Sequence, residues 1–393
     1  MRKTVRPHVG SMYARVRGRR AAVAVICVIT LACRGSEKSS NMSDSANGRL
    51  SEGMYPPRAG MGPGDSTVRT GNAVMSTPGA EQKQVLDELG MLGGKPIETL
   101  SASEARKQPS PADAVVALLK KQGKPTTPEA VGSIANRTIA TSAGPLPVRV
   151  YTPAGKGPFP VIVYYHGGGF VIATIDTYDG SARALANAAA AVLVSVEYRK
   201  APEHKFPAAH DDALAAYQWV LANAEKIQGD PARVAIVGES AGGNLAMATA
   251  IAARDKGIQL PTSILAVYPI AGSDTNTVSY RENANAKPLS RPMMVWFTNK
   301  YVRSPADVND PRLNLLAANL KGLPPVTIIN AEIDPLRTDG ELLAARLKDA
   351  GVTVDRKLFD GVAHEFFGQG ALVPTAKEAV QFGAKSLKAG FGR

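Results

Sequence analysis

Cysteine is almost absent from this 393-residue chain, and its two copies, Cys27 and Cys33, stand near the start. Everything after them lacks a disulfide framework, a thiolate nucleophile and a Cys-based metal site. Histidine is scarce as well: His8, His166, His204, His210 and His364 are the whole supply. No second histidine follows His364-Glu365 at helical spacing, which excludes the zinc-protease pattern. Basic charge is in excess, at +12, but it is not spread over the chain. Residues 1–50 hold ten Lys or Arg against two acids, leaving +4 for the rest, so no footprint for DNA or RNA is left. The apolar fraction, 44%, is that of a globular chain with a full core.

The basic N-terminus reads as an export signal. Arg15, Arg17, Arg19 and Arg20 precede an apolar run over 21–32, ended by Cys33-Arg34-Gly35. That run falls short of the roughly 20 residues that span a bilayer, and suits a signal-peptide core. Its end, Thr30-Leu31-Ala32-Cys33, resembles a lipobox with Thr30 in place of the usual leucine, so Cys33 is the point where a lipid anchor would attach. A plain secreted or periplasmic protein, or an uncleaved anchor, is the alternative. Residues 34–78 are rich in Ser, Gly, Met, Asn and Pro without apolar periodicity, and read as a tether.

From residue 79 the pattern is that of one folded domain. Helical periodicity covers 81–92. Ser101 with Glu104 makes a capping box, and Ser110-Pro111 opens a helix over 113–122 with Val115, Val116, Leu118 and Leu119 on one side. Strands at 134–141 and 147–151 flank a turn at 142–145. Apolar strands at 161–165, 191–196, 234–237, 264–268, 326–330 and 354–359 then alternate with helices near 178–190, 208–224, 240–256, 338–350 and 375–389. That rhythm implies an α/β fold with a mostly parallel sheet covered on both faces. One long interval, 272–324, breaks it and is long enough for an inserted lid, with a helix expected over 291–301.

Two strand ends carry the chemistry. Gly238-Glu239-Ser240-Ala241-Gly242-Gly243 lies between a strand and a small, apolar helix, the nucleophile-elbow pattern. A turn that sharp strains Ser240, and side chains at 238 or 242 would collide with the neighbouring strand and helix. Upstream, His166-Gly167-Gly168-Gly169-Phe170 ends the strand over 161–165, where bare N–H groups can meet an oxyanion. A serine needs a base. His166 belongs to the glycine loop, His204 and His210 flank a turn and a helix start where capping or packing suffices, and His364 follows the last strand. Asp334 is placed to accept from that histidine, with Glu332 and Asp339 rivals on proximity and Asp360 too close to His364 in sequence.

These motifs together resemble the hormone-sensitive-lipase-like group of α/β-hydrolases, bacterial family IV esterases in particular. They are HGGGF at 166–170, EYRKAPEHKFPAAHDD at 197–212, GESAGGN at 238–244, DPLRTDG at 334–340 and GVAHEFF at 361–367. The resemblance covers about 140 to 390. It implies an eight-stranded, mostly parallel sheet with a helical cap built from about 79–130 and 272–324. It also implies a Ser240–His364–Asp334 triad and oxyanion donors at the Gly168, Gly169 and Ala241 N–H groups. His166, Gly167 and Glu239 are supporting residues; many relatives have aspartate where Glu239 stands. No cofactor or metal is called for. The expected partner is a small-molecule ester with short to medium acyl chain, and monomer and homodimer stay open. An amidase or carbohydrate deacetylase with the same triad is the alternative. A non-catalytic ligand binder of the same fold ranks below both, because such proteins usually lose the histidine.

Overall fold

The computed structural model describes residues 76–392. The export-signal reading over 1–33, and the tether up to residue 75, lie outside the described residues.

Three helices come first: α1 (Ala80–Met91), α2 (Ala102–Ala105) and α3 (Pro111–Lys121). Ser101 and Ser110 cap α2 and α3 through reciprocal boxes with Glu104 and Asp113, as their spacing predicts. In α3 the buried side chains are Ala114, Val115 and Leu119, while Val116 is exposed. At 100° per residue Val116 falls off the stripe that Val115 and Leu119 share, so the expected four-residue face is narrower. Lys121 pairs with Glu88 at 2.6 Å and fastens α3 to α1.

The sheet has eight strands: β1 (Ser133–Thr141), β2 (Gly144–Thr152), β3 (Phe159–Tyr165), β4 (Val192–Val196), β5 (Gly229–Glu239), β6 (Ile264–Val267), β7 (Val326–Ile333) and β8 (Val354–Ala363). Their order is β1-β2-β4-β3-β5-β6-β7-β8. β1 and β2 form an antiparallel hairpin and β2 meets β4 antiparallel; all other pairs are parallel. The hairpin turn is tighter than the sequence suggests, since Gly144 pairs with Thr141 and Pro145 already lies in β2. β7 and β8 both run past their expected ends, to Ile333 and Ala363, because they stay paired beyond the apolar runs that mark them in sequence.

Continuous apolar strands mean burial on both faces. Along β3, Val161, Val163 and Tyr165 join one core while Ile162 and Tyr164 join the other. Helices α5 (Ala208–Asn223), α6 (Ala241–Asp255) and α9 (Arg337–Asp349) contribute to the first. Helices α4 (Asp179–Ala189) and α10 (Pro374–Gly390) cover the second. The interval between β6 and β7 carries α7 (Val278–Glu282) and α8 (Arg291–Tyr301), the latter where the sequence places it. Trp296 of α8 donates its indole N–H to the Leu100 carbonyl at 3.1 Å, tying this insertion to the N-terminal helices. Both line one cavity with Ser240 and His364, at the carboxyl ends of β5 and β8, where open α/β sheets bind ligands.

Candidate active site

The elbow between β5 and α6 is built as its glycines require. Ser240 has φ 56° and ψ −116°, a strained conformation for a residue with a side chain. A Cβ on Gly238 would lie 1.9 Å from the Gly242 carbonyl oxygen, and one on Gly242 1.9 Å from that of Tyr165. Helix and strand thus approach until only glycine fits between them. The Ser240 N–H donates to Val267 O at 2.9 Å and locks the turn to β6.

His364 follows β8 directly, and its ring bridges two of the expected partners. Nδ1–H donates to Asp334 Oδ2 at 2.7 Å, which leaves Nε2 as acceptor for the Ser240 hydroxyl at 3.0 Å. All three side chains are buried. Asp334 Oδ1 accepts from Leu336 N at 2.8 Å, so the carboxylate cannot swing away. Burial works against the imidazolium, but the Asp334 carboxylate outweighs it, with Glu365 and Glu239 adding, and the His364 pKa is raised above its ordinary value.

The rival acids are engaged elsewhere. Glu332 accepts from Ser76 Oγ and Gly361 N, and Asp339 from the Ala271 and Gly272 N–H groups at 2.9 and 2.8 Å. Asp360 is exposed on β8. His210 is buried among Phe170, Phe206 and Tyr301, accepts from the Tyr301 hydroxyl and donates to Asn244 and the Arg312 carbonyl. Burial holds its pKa down at about 4, so it is a neutral packing residue. His204 is exposed.

The glycine loop faces the elbow. Gly168 and Gly169 share one cavity wall with Ser240 and His364. The Val171 and Ile172 N–H groups close a tight turn on the Gly168 carbonyl, whereas the Gly168 and Gly169 N–H groups have no protein acceptor among the described residues. Ala241 opens α6, so its N–H is one of the helix's free first-turn donors. His166 stacks on Tyr198 with centroids 4.4 Å apart and donates Nδ1–H to Gly167 O; burial lowers its pKa to about 4. Glu239 accepts from the Tyr164 and Tyr268 hydroxyls, each at 2.5 Å, beneath the elbow. Burial, with Glu365 nearby, raises its pKa to about 7.

The cavity above these groups measures about 310 Å³. Leu86, Leu89 and Ile97 line it from the N-terminal helices, Leu289, Met294 and Phe297 from the insertion. Several residues that support it had no signal in the sequence. Asn283 donates to the Asp334 main-chain carbonyl at 3.3 Å, and Ser279 Oγ to that of Pro335 at 2.6 Å, so α7 and the residue after it clamp the loop carrying Asp334. Gln82 of α1 donates to Gln369, which in turn donates to the Glu365 carbonyl. Arg106 donates to Val171 O and Ala201 O and pairs with Glu203, clamping the glycine loop to the 197–212 segment. Among the described residues, no cluster of three or more His, Cys, Asp or Glu is disposed to hold a metal ion.

Comparison with known proteins gives a consistent answer. Residues 162–368 match the profile of a family described as alpha/beta hydrolase fold. Carboxylesterase NlhH of Mycobacterium tuberculosis is 41% identical over 249 residues, 62% of this chain and 78% of that protein. Ethyl acetate hydrolase of Pseudomonas putida is 33% identical over 312 residues, 77% of this chain and 95% of the relative. The structure of a hyperthermophilic esterase from the archaeon Pyrobaculum calidifontis superposes with a TM-score of 0.71 at 37% identity, covering 78% of this chain and 97% of the other. The eight-stranded sheet, the elbow at Ser240 and these likenesses agree: the chain belongs to the alpha/beta hydrolase fold family, in its hormone-sensitive-lipase-like group.

Proposed function

We propose that this carboxylic ester hydrolase cleaves short- to medium-chain acyl esters in two steps, with Ser240 as nucleophile, His364 as base and Asp334 orienting the base. The observation that carries the reading is the unbroken relay from Ser240 Oγ through His364 to Asp334, at the floor of an apolar cavity. Ser240 attacks the ester carbonyl while His364 Nε2 takes its proton. The tetrahedral oxyanion is met by the Gly168, Gly169 and Ala241 N–H groups. His364 then hands the proton to the departing alcohol, and a water activated at Nε2 releases the acid. Each oxyanion donor contributes about 2.7–4 kcal/mol of transition-state stabilisation in such sites.

The cavity, at about 310 Å³, is at the small end of ligand pockets, which run from about 300 to 1,000 Å³, and so favours shorter acyl chains. Its Leu, Ile, Met and Phe wall favours an acyl or alkyl group over a sugar. The test is a series of 4-nitrophenyl esters from acetate to palmitate, hydrolysed by the wild type and by Ser240→Ala. We expect turnover highest from acetate to octanoate and lost in the variant. Equal turnover by both proteins would overturn the mechanism, and an optimum at palmitate would make the enzyme a lipase.

We further propose a cell-envelope location, supported by the basic and apolar pattern over 1–33 that reads as an export signal, with Cys33 as the candidate anchor point. Activity confined to the cytosolic fraction of the producing cell would end that proposal.

A further inference from the structure

Glu365 stands in a conformation that glycine adopts freely and glutamate does not, with φ 67° and ψ 10°. Its Oε1 lies 3.8 Å from His364 Nε2, the same nitrogen that faces Ser240. The side chain keeps about one-fifth of its exposure and lines the cavity. Two contacts fix it there: the Tyr178 hydroxyl donates to Oε1 at 2.5 Å, and Gln369 donates to the Glu365 main-chain carbonyl at 2.9 Å. Asp334, the other carboxylate on this histidine, is fully buried on the Nδ1 side. Of the other charged groups on the wall, Arg106 is held by Glu203, Lys95 and Lys287 are exposed, and Glu98 belongs to the turn between α1 and α2. Glu98 is a second carboxylate on this wall, its Oε2 buried without a partner among the described residues, but Glu365 is the one whose oxygen lies 3.8 Å from His364 Nε2, held at a strained position.

If the relay works as proposed above, Nε2 delivers the proton to the leaving alcohol, whose oxygen must approach that atom. A carboxylate on the cavity side of Nε2 then stands beside the alcohol half of the ester. We propose that Glu365 is a specificity-determining residue: its carboxylate disfavours esters of anionic alcohols and admits those of uncharged ones. Like charges a few ångströms apart repel more strongly in a water-poor cavity than in bulk water, and both would have to give up their hydration. The backbone strain at position 365 is tolerated in return for a charge at that point.

The experiment compares 4-acetoxybenzoate with 4-acetoxybenzamide, two acetates that differ in the charge of the alcohol. Wild type, Glu365→Gln, Glu365→Gly and Ser240→Ala are assayed at pH 8, since burial raises the Glu365 pKa. The quantity read is the ratio of kcat/KM on the neutral ester to that on the anionic one. The wild-type ratio should exceed that of hydroxide-catalysed hydrolysis, and should fall about fivefold or more in Glu365→Gln. Glu365→Gly removes the carboxylate while relieving the strained φ, and should show the same fall. A wild-type ratio no larger than that for hydroxide, or ratios unchanged in both variants, overturns the inference. Turnover surviving in Ser240→Ala would instead overturn the mechanism beneath it, so the two failures are distinguishable.

Discussion

The Tyr198 hydroxyl donates to two consecutive main-chain carbonyls of the glycine loop, His166 O at 2.9 Å and Gly167 O at 3.2 Å. A carbonyl and the next N–H share one rigid peptide plane, so holding Gly167 O also aims the Gly168 N–H. This gives the 197–212 segment a task that its residue types do not announce. Arg199 grips Asp212 within it, and Ala201 N–H donates to Phe170 O on the far side of the loop.

With Gly168 N–H as a proposed oxyanion donor, Tyr198→Phe should lower kcat by about tenfold with little change in KM, because the charge such a donor meets develops only in the transition state. Thermal stability should drop as well, by about 1–3 kcal/mol for the buried His166 carbonyl left short of a donor, since Gly167 O keeps the His166 Nδ1–H at 2.7 Å. Steady-state kinetics beside a melting curve separate the two effects. A lower Tm with unchanged kcat would reduce the hydroxyl to a structural brace.

The pH profile should carry the mark of Asp334. The base proposed, His364, would act only when neutral, and its pKa is raised, so kcat/KM should fall as pH drops through a midpoint above the ordinary histidine value of about 6.5. Activity undiminished down to about pH 4 would contradict the assignment of His364 as base.

Much of this architecture is legible in the sequence, for identifiable reasons. β3, buried on both faces, has to be continuously apolar, and the elbow at 238–242 has to be glycine, so both announce themselves. The ends of β7 and β8 do not, since pairing carries them through polar positions such as Glu332 and Asp360. Ser240, Asp334 and His364 each directly follow a strand end, but position alone left Glu332 and Asp339 beside Asp334, and only the family resemblance singled it out. Gln82, Asn283 and Arg106 reach the site from the cap, across hundreds of residues or through main-chain acceptors, and leave no spacing to read. Glu365 hides beside His364 because nothing in the sequence reports a positive φ.

Glu239 should tilt the pH dependence of stability. Burial raises its pKa to about 7, against about 4.3 for a glutamate in the unfolded chain. Between those values the folded state binds the extra proton, so this group makes stability fall as pH rises from about 4.3 to 7. The full swing is on the order of 3 kcal/mol. Glu239→Gln should remove that slope, which urea titrations at pH 5 and pH 8 measure. An unchanged difference between the two pH values would mean the carboxyl is not held protonated by its site.

Two glycines should respond oppositely to the same substitution. Gly242→Ala would drive a methyl to 1.9 Å from the Tyr165 main-chain oxygen, which cannot move aside, and we expect loss of activity with destabilisation of at least about 3 kcal/mol. Gly90→Ala, inside α1, meets nothing within 4 Å and should stabilise by about 0.5–1 kcal/mol. Melting curves of the pair decide whether the elbow or mere glycine loss is at issue.

The acid can be identified by substitution at all four candidate carboxylates. Only Asp334 touches His364 Nδ1; Asn there would present an amide, favour the wrong imidazole tautomer and remove the charge that stabilises the imidazolium. We expect Asp334→Asn to cost about 10⁴ in kcat, the scale seen when a triad acid is neutralised. Glu332→Gln and Asp360→Asn should keep activity within a few-fold. Asp339→Asn retains an oxygen able to accept from the Ala271 or Gly272 N–H, so it should alter stability more than turnover. A large kcat loss at Glu332 or Asp339 that left stability intact would move the acid away from Asp334, and the relay built on the 2.7 Å contact would have to be redrawn.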